Sequence, residues 1–349
     1  MKHRISYIKG IDFNKNQKNA GSKAIKDTHK ILETLGYKPI TPIHMKNNII
    51  IRAIEYLRLK LKFNFLPDDS VLISNYPLRF DMGRLYYKQL LSTKNEKIIK
   101  LFVIHDIQEL QFGTDATDNF FYERCRLDKN IYIISQTEKM KTFLVDKGIE
   151  SRRIIVLGIF DYLTPIQENR GRIGNEIIIA GNLSIEKNGF LNQADNCKNL
   201  KFNLYGVGLD EKILKNDNFN YFGSFSPDDL AANLNGSFGL VWDSEELNGG
   251  IGTKAVYQKY NSPHKASLYL AAGIPIIVWK GAALAEFVSF NSVGLVVESL
   301  EELNDKISSI TLEDYNLMKN NVLVQQNLIR EGKYLKSAIL KFLRALNSI

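Results

Sequence analysis

The sequence predicts a two-domain α/β protein in which each domain carries a parallel, doubly wound sheet. Three observations predict it. At 349 residues the chain exceeds one average domain, and two of comparable size would each have enough residues for a full core. Short apolar strands alternate with helical stretches twice along the sequence, the pattern of crossover connections in parallel sheets. Between the two series the periodicity fades over Asp161, Pro165, Gly171 and Gly174. We therefore read 1–160 and 175–325 as the domains, 161–174 as their linker, and 326–349 as a C-terminal helix that either crosses back to the first domain or caps the second.

The first series opens with a strand at 4–8, then a polar run rich in glycine, asparagine and lysine at 10–22, then a helix over about 23–35. That loop is long for a βα connection, and long loops at strand ends often carry function. A helical stretch over about 49–61 leads into a strand at 70–74 and a loop at 75–78. The clearest strand, 98–104, is apolar apart from Lys100, as a strand covered on both faces must be, and it ends at His105-Asp106. A helix over about 119–127, a strand at 131–135, a helix started by Thr137 and a short strand at 154–157 complete the half.

The second series places strands at 176–180, 200–205, 219–222, 239–242, 274–279 and 294–297. One helix start is plain in Ser226-Pro227-Asp228, where serine caps and proline takes the first helical position. A single long amphipathic helix is predicted from about 312 through the Lys/Arg-studded stretch to 347.

Apolar residues make up 44% and charged ones 24%, values of an ordinary folded protein rather than a disordered or fibrous one. The net charge of +8 suits an anionic ligand, a nucleic acid or an acidic membrane surface. Because the positive charge is spread through the chain and no reading module is present, nucleic acid is ranked last. The two cysteines, Cys125 and Cys197, have no metal-ligand spacing, so the reducing cytosol is the default and no metal is expected. The first residues lack an apolar signal core, and no stretch approaches the roughly 20 apolar residues that span a bilayer. Membrane contact, if any, is expected to be peripheral, at the inner face.

The richest segment for chemistry runs from Tyr260 to Trp279. It sets Lys265 at the start of a helix, where free backbone N–H groups and the helix dipole already favour anions. Ala271, Ala272 and Gly273 let the helix end pack close to the sheet before Pro275 fixes the next strand. Asn261 and Ser262 are read as the caps of that helix, with phosphate contact as a further role. Asp243 follows the strand at 239–242, and Glu286 lies in a short helix at 281–288. In a doubly wound sheet all of these would emerge at the carboxyl ends of strands, where ligands collect. Such a site holds a nucleotide diphosphate. Tyr205-Gly206-Val207-Gly208 offers either bare backbone to the nucleotide or an ordinary turn, and Phe225 either a stacking platform for a base or core packing.

For a base, His105 and Asp106 at the end of a buried strand are preferred, since a rigid strand can aim both into a cleft; a purely structural His105 bonded to a backbone carbonyl is the alternative. Asp12 is a third candidate, and Gly21 and Ser22 close the long first loop, which would meet an acceptor. No Asp-x-Asp occurs in the chain, so a metal clamp has no sequence support.

Two Rossmann-like halves with a nucleotide site in the second resemble the GT-B glycosyltransferases. The strings 101–106 with 110–112, 236–243 and 265–275 resemble, more narrowly, the bacterial sugar transferases that include the glucosyltransferase of serine-rich adhesin glycosylation and the β-1,6-galactofuranosyltransferases. The resemblance implies a GT-B fold, a UDP-sugar as substrate rather than cofactor, a glycan, lipid-linked or protein-linked acceptor, and a homo-oligomer. It gives Lys265 to the diphosphate, Gly181-Asn182 to a phosphate-facing turn, and Glu286 to the ribose. Related enzymes place an arginine shortly after the Gly-Asn pair, whereas here the nearest cation is Lys187. The upstream glutamate of retaining families is replaced by Val278, which implies an inverting enzyme. A catalytically silent subunit that binds a glycosylated partner is the alternative.

Overall fold

The computed structural model describes residues 3–10, 21–41, 49–78, 83–92, 97–165, 173–197, 199–252 and 255–347. The first half comprises β1 (Ile5–Ile8), α1 (Gly21–Thr34), β2 (Lys38–Ile40), α2 (Ile49–Asn64), β3 (Val71–Tyr76), α3 (Gly83–Ser92), β4 (Ile99–Ile104), α4 (Gln108–Phe112), α5 (Asn119–Leu127), β5 (Ile131–Ser135), α6 (Glu138–Asp146) and β6 (Ile154–Val156). The second comprises β7 (Glu176–Asn182), β8 (Lys201–Val207), β9 (Phe219–Tyr221), α7 (Pro227–Asn233), β10 (Phe238–Val241), α8 (His264–Ala271), β11 (Ile276–Trp279), α9 (Leu284–Asn291), β12 (Gly294–Val297), α10 (Leu303–Ser308), α11 (Leu312–Arg330) and α12 (Lys333–Asn347).

Each half forms one six-stranded sheet, in the orders β2-β1-β3-β4-β5-β6 and β12-β11-β10-β7-β8-β9. Every pairing is parallel. Strand order reverses beside β1 in the first sheet and beside β7 in the second, and such reversals open a crevice at the carboxyl ends of the strands. β3, β4 and β5 are buried at every position, which explains their apolar composition. Lys100 is tolerated within β4 because its ammonium reaches Asp128 at 2.5 Å.

Four differences from the sequence reading have physical causes. β3 continues through Asn75 and Tyr76, with Tyr76 paired to Ile104; the polar side chain of Asn75 is buried there. Gly181 and Asn182 are strand rather than turn, registered against Gly206 and Val207. Gly206 has φ +152°, and a Cβ on it would lie 1.8 Å from the Gly181 carbonyl oxygen, so only glycine lets the two backbones meet. The short helix α4 buries no side chain and so left no amphipathic signal.

The predicted last helix is two. The break falls at Gly332, whose φ of +71° ends α11 with the left-handed residue common just past helix ends. Asp161 then accepts the N–H groups of Tyr334 (3.1 Å) and Leu335 (2.8 Å), so the start of α12 is capped from the interdomain segment. Leu335, Ile339 and Phe342 of α12 enter the core that holds Tyr7, Leu101 and Ile134 of the first sheet. Burying each is worth about 1.5–3 kcal/mol, which fastens the C-terminus to the N-terminal domain. Among the described residues no helix is long and apolar enough to cross a membrane.

Candidate active site

Lys265 is the second residue of α8, and its position follows from how that helix is seated. Leu268, Tyr269 and Leu270 are buried. Gly239 of β10 has no Cβ because the Tyr269 ring fills that space: one added there would stand 2.3 Å from the ring. The Tyr269 hydroxyl oxygen accepts the N–H of Ala180 at 2.8 Å, tying α8 to β7. Held this way, the Lys265 ammonium donates to the Trp242 carbonyl at 3.0 Å and to Asp243 Oδ1 at 2.7 Å. The Lys187 ammonium lies 3.5 Å from Asp243 Oδ2. Burial lowers the Lys265 pKa, and Lys187 adds to that while Asp243 opposes it. Two ammonium groups thus face one carboxylate at the amino end of α8, leaving one positive charge in excess where the helix dipole also favours an anion.

Asn261 and Ser262 do not cap α8. The capping position is Pro263, which has no side chain able to accept a hydrogen bond. Ser262 instead gives its backbone N–H to Gln136 Oε1 at 2.7 Å. Asn261 Oδ1 and Ser262 Oγ are buried with no hydrogen bond among the described residues, an arrangement that costs energy unless a ligand supplies a partner.

The N-terminal domain closes the opposite wall. His105 Nε2 donates to Asn75 Oδ1 at 2.8 Å, and the Asn75 amide nitrogen donates to His29 Nε2 at 3.1 Å. Burial drives the His29 pKa down to about 4, so that ring is a neutral acceptor and the amide orientation is fixed. The partner of His105 Nε2 is thus a side-chain amide oxygen. The His105 ring also stacks on Phe160, with centroids 5.3 Å apart and planes 9° apart. Asp106 Oδ1 accepts from Gln111 at 2.8 Å and from the Tyr257 hydroxyl at 3.3 Å.

Sequence reasoning missed Gln136 and Tyr257. Gln136 donates to the His105 carbonyl at 2.6 Å while receiving the Ser262 N–H, so one buried amide links the two domains at the floor of the cleft. Tyr257 links them again through Asp106. Neither belongs to a recognisable local pattern, because each acts across more than 100 positions of sequence.

A cavity of about 490 Å³ between the domains is lined by His105, Asp106, Gly181, Asn182, Lys187, Asp243, Asn261, Ser262 and Lys265, with Gln136 and Tyr257. A smaller recess of about 50 Å³, lined by Tyr205 and Phe225, shares Gly181 and Lys265 with it. Gly21 and Ser22 start α1, and the next turn, Ala24 and Ile25, reaches the cavity wall. Glu286 is exposed in the first turn of α9 and is not part of either lining. Asp12 lies outside the described residues. Among the described residues no group of three or more His, Cys, Asp or Glu is placed to hold a metal ion.

Residues 6–159 match the glucosyltransferase 3-like N-terminal domain and residues 177–342 the glucosyltransferase 3-like C-terminal domain. Over 337 residues the chain is 31% identical to the beta-1,6-galactofuranosyltransferase WbbI of Escherichia coli (strain K12), spanning 94% of this chain and 96% of that one. It is 27% identical over 241 residues to glucosyltransferase 3 of Streptococcus gordonii, covering 68% of each. In fold it is similar to the lipopolysaccharide outer core galactosyltransferase WaaB, with a TM-score of 0.58 at 12% identity over 96% of this chain and 99% of that one. With two doubly wound domains facing across a cation-bearing cleft and relatives of this kind along nearly its whole length, the chain belongs to the glucosyltransferase 3-like family of GT-B glycosyltransferases.

Proposed function

We propose that this glycosyltransferase moves a hexosyl group, galactofuranosyl or glucosyl, from a UDP-sugar to a glycan, lipid-linked or protein-linked acceptor, with inversion and without a metal ion. The observation that carries the reading is the pair Lys265 and Lys187 around Asp243 at the amino end of α8, on the wall of the interdomain cavity. As the sugar leaves, negative charge grows on the diphosphate. Preorganised cations and helix N–H groups stabilise such charge in a site sheltered from water. Lys265 exchanges its contact with Asp243 for one with phosphate; on the same wall Ser262 Oγ can donate to phosphate, and Asn261 Oδ1 can accept from a hydroxyl of the donor. Phe225 and Tyr205, in the recess beside Gly181, suit the base.

The acceptor hydroxyl attacks the anomeric carbon from the side opposite the leaving UDP, and His105 with Asp106 takes its proton. The Asn75 and Phe160 contacts hold the His105 ring in one orientation; Gln111 and Tyr257 do the same for the Asp106 carboxylate. Closure at Gln136 and Tyr257 excludes water that would otherwise compete with the acceptor. Calorimetric titration of the purified chain with UDP tests the donor half: undetectable binding refutes it. Transfer or donor hydrolysis by the chain alone, across a panel of UDP-sugars, separates an active enzyme from a silent binding subunit.

A further inference from the structure

A second cavity, of about 850 Å³, lies wholly within the N-terminal domain. It falls within the roughly 300–1,000 Å³ range of small-ligand sites. Its wall carries three aromatic rings: Tyr76 at the end of β3, Tyr87 on α3 and Phe120 on α5. The Tyr76 and Tyr87 centroids are 5.9 Å apart, and Tyr87 meets Phe120 edge-on at 6.2 Å. Tyr76 is fixed from behind by stacking on Phe121 at 4.1 Å.

Polar groups interrupt this apolar wall. Asp118 Oδ2 accepts the Tyr76 hydroxyl at 3.0 Å and the Tyr87 hydroxyl at 2.5 Å, and Asp118 Oδ1 caps α5. Burial pushes both phenols upward, so they remain protonated donors toward Asp118 and offer their own lone pairs to the cavity. Gln108 and Lys88 add exposed donors at its rim. A hydrocarbon chain would gain nothing from a half-buried carboxylate, an amide and an ammonium in its wall, and a second phosphate would face Asp118 with Lys88 as its one cation among the lining residues. A sugar ring fits both features: its C–H face packs on an aromatic plane while its hydroxyls donate and accept at the edge.

The cavity adjoins the reacting end of the cleft. Tyr76 directly follows Asn75, the partner of His105, and its carbonyl accepts the His105 N–H at 2.8 Å. Helix α4 separates the two spaces, with Gln108 lining the second cavity and Gln111 holding Asp106 in the first. We infer that this aromatic cavity is a saccharide subsite, where a sugar unit of the acceptor adjacent to the reacting one rests on Tyr87 and Phe120 beside the His105-Asp106 corner. The word acceptor rests on the transfer reading above; the saccharide chemistry does not.

The test uses the full chain and the variants Phe120→Ala and Gln108→Ala, both at exposed wall positions. Saturation-transfer NMR is run with methyl glycosides of glucose, galactose and N-acetylglucosamine, and with lactose, maltose and cellobiose; UDP is titrated separately. At least one saccharide is expected to bind the wild type, with affinity lowered roughly tenfold by Phe120→Ala, and UDP affinity unchanged within twofold. UDP binding with no saccharide bound overturns the subsite and leaves the donor reading standing. Saccharide binding that both variants leave intact, or that farnesol displaces, also overturns it. Saccharide binding lost in Phe120→Ala with no UDP binding at all would keep the subsite and sink the donor reading.

Discussion

Replacing Lys265 with alanine is the most direct perturbation of the donor site. Two unit charges about 4 Å apart attract by roughly 4 kcal/mol at the effective dielectric of a protein surface. That figure overstates the loss, because the ammonium already rests 2.7 Å from Asp243 and must give up part of that contact to meet phosphate. The difference is that of one charge-assisted hydrogen bond, about 1.5–3 kcal/mol, or roughly 10- to 150-fold in Kd. Lys187 stays near Asp243, so the local charge falls from one in excess to balance and binding weakens rather than vanishing. Isothermal titration with UDP measures it, with a thermal melt to show that the variant is folded. Lys265→Arg should keep most of the affinity. A folded Lys265→Ala protein that binds UDP within twofold of wild type would refute the reasoning.

Four further outcomes follow from the same contacts. Because burial lowers the Lys265 pKa below its ordinary 10.5, UDP affinity should decline on the alkaline side before an ordinary lysine titrates, and Lys265→Arg should remove the decline; a wild-type Kd flat up to pH 10 speaks against it. Gly239→Ala drives a Cβ into the Tyr269 ring and should cost about 1–3 kcal/mol of stability by overpacking, read as a lower melting temperature with weaker UDP binding. Gln136→Ala leaves the buried Ser262 N–H without its partner, which should cost about 1–3 kcal/mol and lower kcat more than UDP affinity, since the cleft loses a closing contact. Burial raises the Asp161 carboxyl from 3.8 to about 7, so its contribution is full below pH 4 and is lost as pH rises through 7, by at most roughly 4 kcal/mol; Asp161→Asn should flatten the change in melting temperature between pH 5 and 8.

Much of the fold was legible because its signals are local. The apolar runs of β3, β4 and β5 announce strands covered on both faces, and Ser226-Pro227 announces the start of α7 without reference to anything distant. The Lys265 helix was legible for the same reason, since a cation beside a helix start and the Ala-Ala-Gly-Ile-Pro end are contiguous. Gly332 gives no local sign of a helix break, since a lone glycine is tolerated in many helices; only the folded chain brings Ile31 of α1 so near that a Cβ there would lie 2.7 Å from it.

The amino-acid sequence by itself determined the two-fold α/β alternation, the excess of positive charge and the residues able to meet an anion. Tertiary structure alone decided which of them face one another. It set Lys187 and Lys265 around one carboxylate, tied His105 to Asn75, and used Gln136 and Tyr257 to join the domains. Those contacts span from 22 to 151 positions, and no short-range periodicity encodes them; they exist because parallel crossovers bring the carboxyl ends of distant strands to a common edge.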